Sequence, residues 1–143
     1  MTFVLKPFDR LTTMELYELL RLRSEVYIVE QGNRYQDLDQ IDYGSLHLWA
    51  QDEEGELLGY LRLYPKADEP GVVQVGRVVT RLRRHGVGAQ LMTQAEAIAK
   101  SRYHAHALHL TGRKSARPFY QFCGFTRQPE SDELPYDVMR KEI

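Results

Sequence analysis

Val75-Gly76-Arg77-Val78-Val79-Thr80-Arg81-Leu82-Arg83-Arg84-His85-Gly86-Val87-Gly88-Ala89 reads as strand, turn and helix in one passage. A β-branched run ends in a basic cluster, two glycines follow, and an apolar-periodic segment from Gln90 to Arg102 then begins. Glycine permits backbone conformations closed to other residues and lets a ligand come close to the chain. The first amides of the following helix lack acceptors within it and carry the positive end of its dipole, which suits an anion. Arg81, Arg83 and Arg84 add full charges beside them, and a guanidinium matches phosphate with two parallel bonds. The combination predicts a pyrophosphate cradle. It is neither a P-loop, which needs G-x-x-x-x-G-K-[ST], nor a dinucleotide turn, which needs G-x-G-x-x-G.

Arg83-Arg84-His85-Gly86-Val87-Gly88 does resemble the R/Q-x-x-G-x-G/A signature of the GNAT acetyltransferase superfamily. A second segment agrees with it: Ala116 followed by Phe119-Tyr120-Gln121-Phe122-Cys123-Gly124-Phe125 resembles the A-x-x-x-Y-x-x-x-G-F segment of the same superfamily. A helix pattern and a short strand pattern lie between the two. Nearer the start, Arg23-Ser24-Glu25-Val26-Tyr27-Ile28-Val29-Glu30-Gln31, with Tyr35, Asp37, Asp39, Asp42 and His47 after it, resembles the ElaA-type branch.

The resemblance implies an α+β fold, with a mixed central sheet of about six or seven strands flanked by helices. The third meander strand and the strand before the last helix would splay into a cleft for acetyl-CoA. Backbone groups at Arg77, Val78 and Val79 would hold the pantetheine arm as an added strand, while Arg83, Arg84, His85, Gly86, Val87, Gly88 and Ala89 would hold the pyrophosphate. Acetyl-CoA is the implied co-substrate, and no metal is implied.

Composition sets the outer bounds. A chain of 143 residues can bury a core without staples, so we expect one domain over 1–143. No apolar run approaches the roughly 18 residues of a membrane span, and no signal-like stretch opens the sequence. A single cysteine rules out a disulfide within the chain and suits a reducing compartment; we expect a cytoplasmic protein. A formal charge of −1 argues against a dedicated nucleic-acid binder. The oligomeric state is not legible.

Along the chain, Phe3–Pro7 reads as an edge strand, because Pro7 lacks the amide that a central strand needs. Thr12 and Glu15 have capping-box spacing, and Leu16, Leu19, Leu20 and Arg23 follow at helical period, which predicts a helix from about Thr13 to Tyr27. Glu30, Asp37, Asp39 and Asp42 then crowd a polar stretch whose only basic residue is Arg34. A solvated loop accounts for any one of them; as a set, beside an acceptor site, they would favour a cationic acceptor. Strands are expected at Leu46–Gln51, Glu56–Tyr64 and Val72–Thr80, then at Tyr103–Leu110 with His104, His106 and His109 inside it as structural histidines. A short helix from Ala116 to Cys123, ending on Gly124, precedes strands at Phe125–Gln128 and Tyr136–Arg140, joined by an acidic loop from Pro129 to Pro135.

The expected chemistry is direct attack of an amine on the thioester. It needs a base for the ammonium proton, a donor at the oxyanion and an acid for the leaving sulfur. A backbone N–H near Val78 or Val79 suits the oxyanion, and the resemblance points to Tyr120 as the acid. Many family members carry a glutamate on the third meander strand, but Val72–Thr80 has no carboxylate. Glu30 and His47 are therefore the candidate bases, with Asp37 or a relayed water also open. Cys123 suggests an acyl-enzyme, but a cysteine among apolar neighbours reads as a small buried hydrophobe. The acceptor would be a small-molecule or peptide amine. Two other classes fit: a non-catalytic acyl-CoA binding or sensing module, and an acyl-homoserine-lactone synthase-like enzyme, whose N-terminal segment resembles Arg23–Gln31.

Overall fold

The computed structural model describes residues 1–81 and 86–143. A reciprocal cap opens the first helix: Glu15 N–H donates to Thr12 Oγ1 at 3.0 Å, and Thr12 N–H donates to the Glu15 carboxylate at 2.9 Å. Helix α1 accordingly spans Thr13–Ser24, starting where the Thr12/Glu15 spacing puts it. Its end departs from expectation. The chain stays on a helical path but widens into a π-helical turn over Glu25–Glu30, where Gln31 N–H donates to Val26 O at 3.1 Å. Val26, Tyr27, Ile28 and Val29 are β-branched or aromatic and crowd an α-turn, so widening relieves them without ending the helix.

The strands are β1 (Thr2–Pro7), β2 (Leu46–Gln51), β3 (Leu57–Pro65), β4 (Val72–Thr80), β5 (Ala107–Gly112), β6 (Thr126–Arg127) and β7 (Asp137–Glu142). They form one mixed sheet in the order β1-β2-β3-β4-β5-β7-β6. With helices α1, α2 (Val87–Tyr103) and α3 (Arg117–Phe122), this is the α+β architecture expected. Pro7 sits on edge strand β1, opposite Leu46 of β2. His104 and His106 lie outside β5, contrary to expectation. His104 takes φ 51 just past α2 and its N–H bonds to Lys100 O, while Ala105 N–H returns to Ala99 O, so the helix is closed by a left-handed cap before the strand begins. Gly124, at φ 94, closes α3 in the same manner, with Phe125 N–H donating to Tyr120 O at 3.0 Å.

The described residues gather into two compact units, Met1–Arg62 with Arg77–Leu91, and Leu63–Gly76 with Met92–Ile143. In the first, Leu19, Leu22 and Val26 pack with Trp49, Leu57, Tyr60 and Val79. Residues 47–50 of β2 are all buried, so that strand is covered on both faces and its alternation carries no polar side. In the second unit β5 pairs antiparallel with β7 along its whole length, from Ala107↔Glu142 to Gly112↔Asp137. Buried Asp137 is held there by Arg117 at 2.6 Å and Arg127 at 3.2 Å.

Pairing of β4 with β5 is shorter. It is parallel and joins Val72–Gln74 to Ala107–His109; among the described residues the two strands part beyond that rung. No helix among the described residues is long and apolar enough to cross a membrane.

Candidate active site

In the first unit, β4 is kinked where the sequence predicts a ligand. Arg77 takes φ 53, a left-handed conformation that costs a non-glycine residue about 1–3 kcal/mol unless its surroundings hold it. Its side chain supplies the hold. Nη2 donates to Asp37 O at 3.1 Å and Asp39 Oδ2 at 3.2 Å, and Nε lies 2.8 Å from Asp37 Oδ1, although that N–H is not aimed at the oxygen. The guanidinium also lies over the rings of Tyr27 and Tyr35, at 5.9 and 5.3 Å from their centroids. Beyond the kink, the Tyr27 hydroxyl donates to Val78 O at 3.2 Å, and Val79 is buried in the core.

The predicted phosphate turn is described only in part. Arg83, Arg84 and His85 lie outside the described residues. Gly86 has φ 77 and its carbonyl accepts from Gln90 N–H at 3.1 Å, which makes it the residue that opens α2. Val87 and Gly88 are buried in the first turn and Ala89 is half-buried. Gly59, on β3, lets this turn approach the sheet: a Cβ there would meet Leu91 Cδ1 at 2.9 Å and Val79 O at 3.1 Å. A glycine inside an apolar strand is the signal that could have marked this close approach in the sequence.

The acidic stretch does a different job from the one expected. Arg23, 1% exposed, donates from Nη1 to Asp42 at 2.8 Å and from Nε to Asp37 at 3.0 Å. Arg62, on β3, donates to Asp42 at 3.0 Å and to both oxygens of Asp39 at 2.9 and 2.6 Å. With Arg77 this makes three arginines against three aspartates, a neutral set. Burial pushes the Asp39 and Asp42 carboxyls up, but the arginines outweigh it and hold both below the usual range. Asp37, Asp39 and Asp42 are therefore neutralised by their arginines, which removes the support these three gave to a cationic acceptor.

His47 belongs to the same buried set. Its Nδ1 is 2.7 Å from the Tyr60 hydroxyl and its Nε2 is 2.9 Å from Asp42 O, so both ring nitrogens are engaged. Burial lowers its pKa and keeps it neutral. This is the geometry of a structural histidine. Glu30 lies exposed at the end of the π-helical turn.

In the second unit, Tyr120 stands on α3 with 8% of its surface exposed. Its ring packs edge-on to Phe119 and Phe125 and closely against Gly112, where any Cβ would meet Tyr120 Cε2 at 2.8 Å. Among the described residues its hydroxyl has no hydrogen-bond partner. A nearly buried phenol normally finds one, so an unpaired hydroxyl is a group available to a ligand. Burial raises its pKa, which keeps the proton on oxygen at neutral pH. Burial likewise raises the Cys123 thiol, leaving it a poor nucleophile.

Comparison with known proteins agrees with this architecture. The model of the acetyltransferase (GNAT) family matches residues 14–125. Protein ElaA of Escherichia coli is 33% identical over 144 residues, covering 94% of this chain and 92% of ElaA; superposed on its crystal structure the chain has a TM-score of 0.84 at 29% identity, covering 99% of each. An acyl-CoA N-acyltransferase from Pseudomonas aeruginosa gives a TM-score of 0.86 at 35% identity, covering 98% of each chain. The fold alone extends to a PaiA N-acetyltransferase from Thermoplasma acidophilum crystallised with coenzyme A, at a TM-score of 0.74, 16% identity and full coverage of both chains. The chain belongs to the GNAT acetyltransferase family. Within that family its similarity runs to ElaA.

Proposed function

We propose that residues 1–143 work as one acetyltransferase domain, moving the acetyl group of acetyl-CoA directly to a small-molecule or peptide amine. The passage from kinked β4 through Gly86 into α2 carries this reading: a strand whose backbone turns left-handed at Arg77 leads to a helix opened by a left-handed glycine, inside the stretch matched by the family model. Arg77, Val78 and Val79 offer backbone groups to the pantetheine arm, and the first turn of α2, from Gly86 to Ala89, faces the pyrophosphate with its amides. By the sequence motif, Arg83, Arg84 and His85 would complete the pyrophosphate site. The coenzyme A complex of the Thermoplasma protein, which shares the fold, supports the choice of donor.

Tyr120 serves as the acid. Its hydroxyl keeps its proton and has no hydrogen-bond partner among the described residues, so it can donate to the leaving sulfur. His47 has no free nitrogen for the base, and Glu30 stays the acidic candidate. The test is release of coenzyme A thiol across a panel of amino acids, polyamines and peptide N-termini. Tyr120→Phe should lower kcat by about 100-fold with the acetyl-CoA Kd nearly unchanged. Unchanged turnover would reduce Tyr120 to a packing residue, and binding without thiol release to any amine would favour a non-catalytic acyl-CoA module.

A further inference from the structure

The rung at which β4 and β5 part carries an unclaimed histidine. His109 stands opposite Gln74 in the parallel register, the last pair joined before the strands separate, and its Nδ1 is 2.7 Å from Gln74 Oε1. With Gln74 Oε1 as the acceptor, the proton of the neutral ring sits on Nδ1, which leaves a lone pair on Nε2. Among the described residues Nε2 has no hydrogen-bond partner, and the ring is half-buried. His47 differs on this point, with both nitrogens engaged.

The period of two along β5 fixes the side on which His109 lies. A Cβ at Gly112 would point at Tyr120 and would come within 3.7 Å of Leu110 Cδ1, so Leu110, Gly112 and the Tyr120 ring share one face of the strand. His109 is one residue out of phase with them and projects from the other face. Tyr120, with its unpaired hydroxyl, and His109, with its unpaired Nε2, thus flank β5 from opposite sides where the sheet opens.

We propose that His109 is the base of the transfer, with Gln74 as the positioning residue that fixes its tautomer. The proposal rests on the acetyl-CoA reading above and gives its base to His109 in place of Glu30. The amine nitrogen gives one proton to His109 Nε2 as its bond to the acetyl carbon forms. The carbon–sulfur bond breaks with its electron pair on sulfur, and Tyr120 supplies the proton that completes the thiol. Solvent then returns a proton from the imidazolium to the phenolate, so the cycle closes with no other reactant.

The surroundings keep His109 ready for this. Burial lowers its pKa from the ordinary 6.5, and Lys66 and Arg140 act in the same direction, while Glu69 and Glu130 oppose them. Arg140 is its cross-strand neighbour on β7 and is itself bound to Glu69 at 2.6 Å. The ring is therefore neutral at pH 7 and accepts a proton without first losing one.

Nitrogen-15 NMR of the histidine-labelled full chain tests this without an acceptor. His109 should appear as the Nδ1–H tautomer, titrate below 6.5, and shift at Nε2 when acetyl-CoA is added. An Nε2–H tautomer, or a His109 signal indifferent to acetyl-CoA that calorimetry shows to bind, overturns the proposal and leaves the donor assignment standing. No calorimetric binding at all is instead the failure of the donor assignment. The kinetic arm follows thiol release with water or any active amine as acceptor. His109→Ala should lower kcat by about 100-fold, keep the acetyl-CoA Kd and the melting midpoint, lose the acid limb of the pH profile, and regain rate with added imidazole. A Glu30→Gln chain that loses that limb while His109→Ala keeps it would give the base to Glu30 and overturn the proposal.

Discussion

Arg77 concentrates several demands at one position. Its backbone takes a conformation that favours glycine, and its side chain is clasped by Asp37 and Asp39 between two tyrosine rings. Charge-assisted bonds at about 1.5–3 kcal/mol each are large enough to hold a kink of about 1–3 kcal/mol. Arg23 is bound into the same network more deeply, and it has no water to fall back on. Arg23→Met should therefore lower unfolding free energy by about 3 kcal/mol, because it strands carboxylates that stay buried. Urea unfolding measures this, and a loss below about 1 kcal/mol would mean that the Asp37 and Asp42 carboxylates are served by their other arginines alone.

Elements were read from the sequence more securely than the contacts between side chains. The capping spacing at Thr12 and Glu15, Pro7 at an edge, and Gly124 after α3 each act through neighbours in the chain, so local pattern was sufficient. The continuation of α1 into a π-helical turn was not, since crowded β-branched residues can end a helix or widen it. Nothing in the residue type of His104 marks a left-handed cap; only the return of Ala105 N–H to Ala99 O does. At the candidate site, the glycine turn and Tyr120 were legible as motifs. The partners of the acidic stretch were not, because Arg62 and Arg77 come from strands twenty or more residues away. A lone arginine within the apolar run Leu57–Pro65 was the available sign that a carboxylate must meet it.

For the molecule as a whole, these buried ionic groups set the dependence of stability on pH. Burial keeps His47 and His109 below the ordinary 6.5, so as pH falls past that value the unfolded chain takes up protons that the folded chain refuses, and stability declines. Asp39, Asp42 and Asp137 are held below 3.8 in the folded state; their contribution is present above that value and is lost as pH falls through the lower folded-state values. The urea midpoint should thus be level from about pH 7 to about pH 8, slope down below 6.5, and fall steeply below 3.8. A midpoint that rises between 6.5 and 5 would contradict the assignment of the histidines as buried neutral groups.

The donor site is the point on which the rest depends, and one titration addresses it: acetyl-CoA added by calorimetry to the wild-type chain and to Gly88→Asp, which puts a negative charge on the first turn of α2. Saturable binding by the wild type is expected, and its loss in a variant whose melting midpoint shows it still folded. Absence of binding to the folded wild type, or equal binding by both chains, would contradict it.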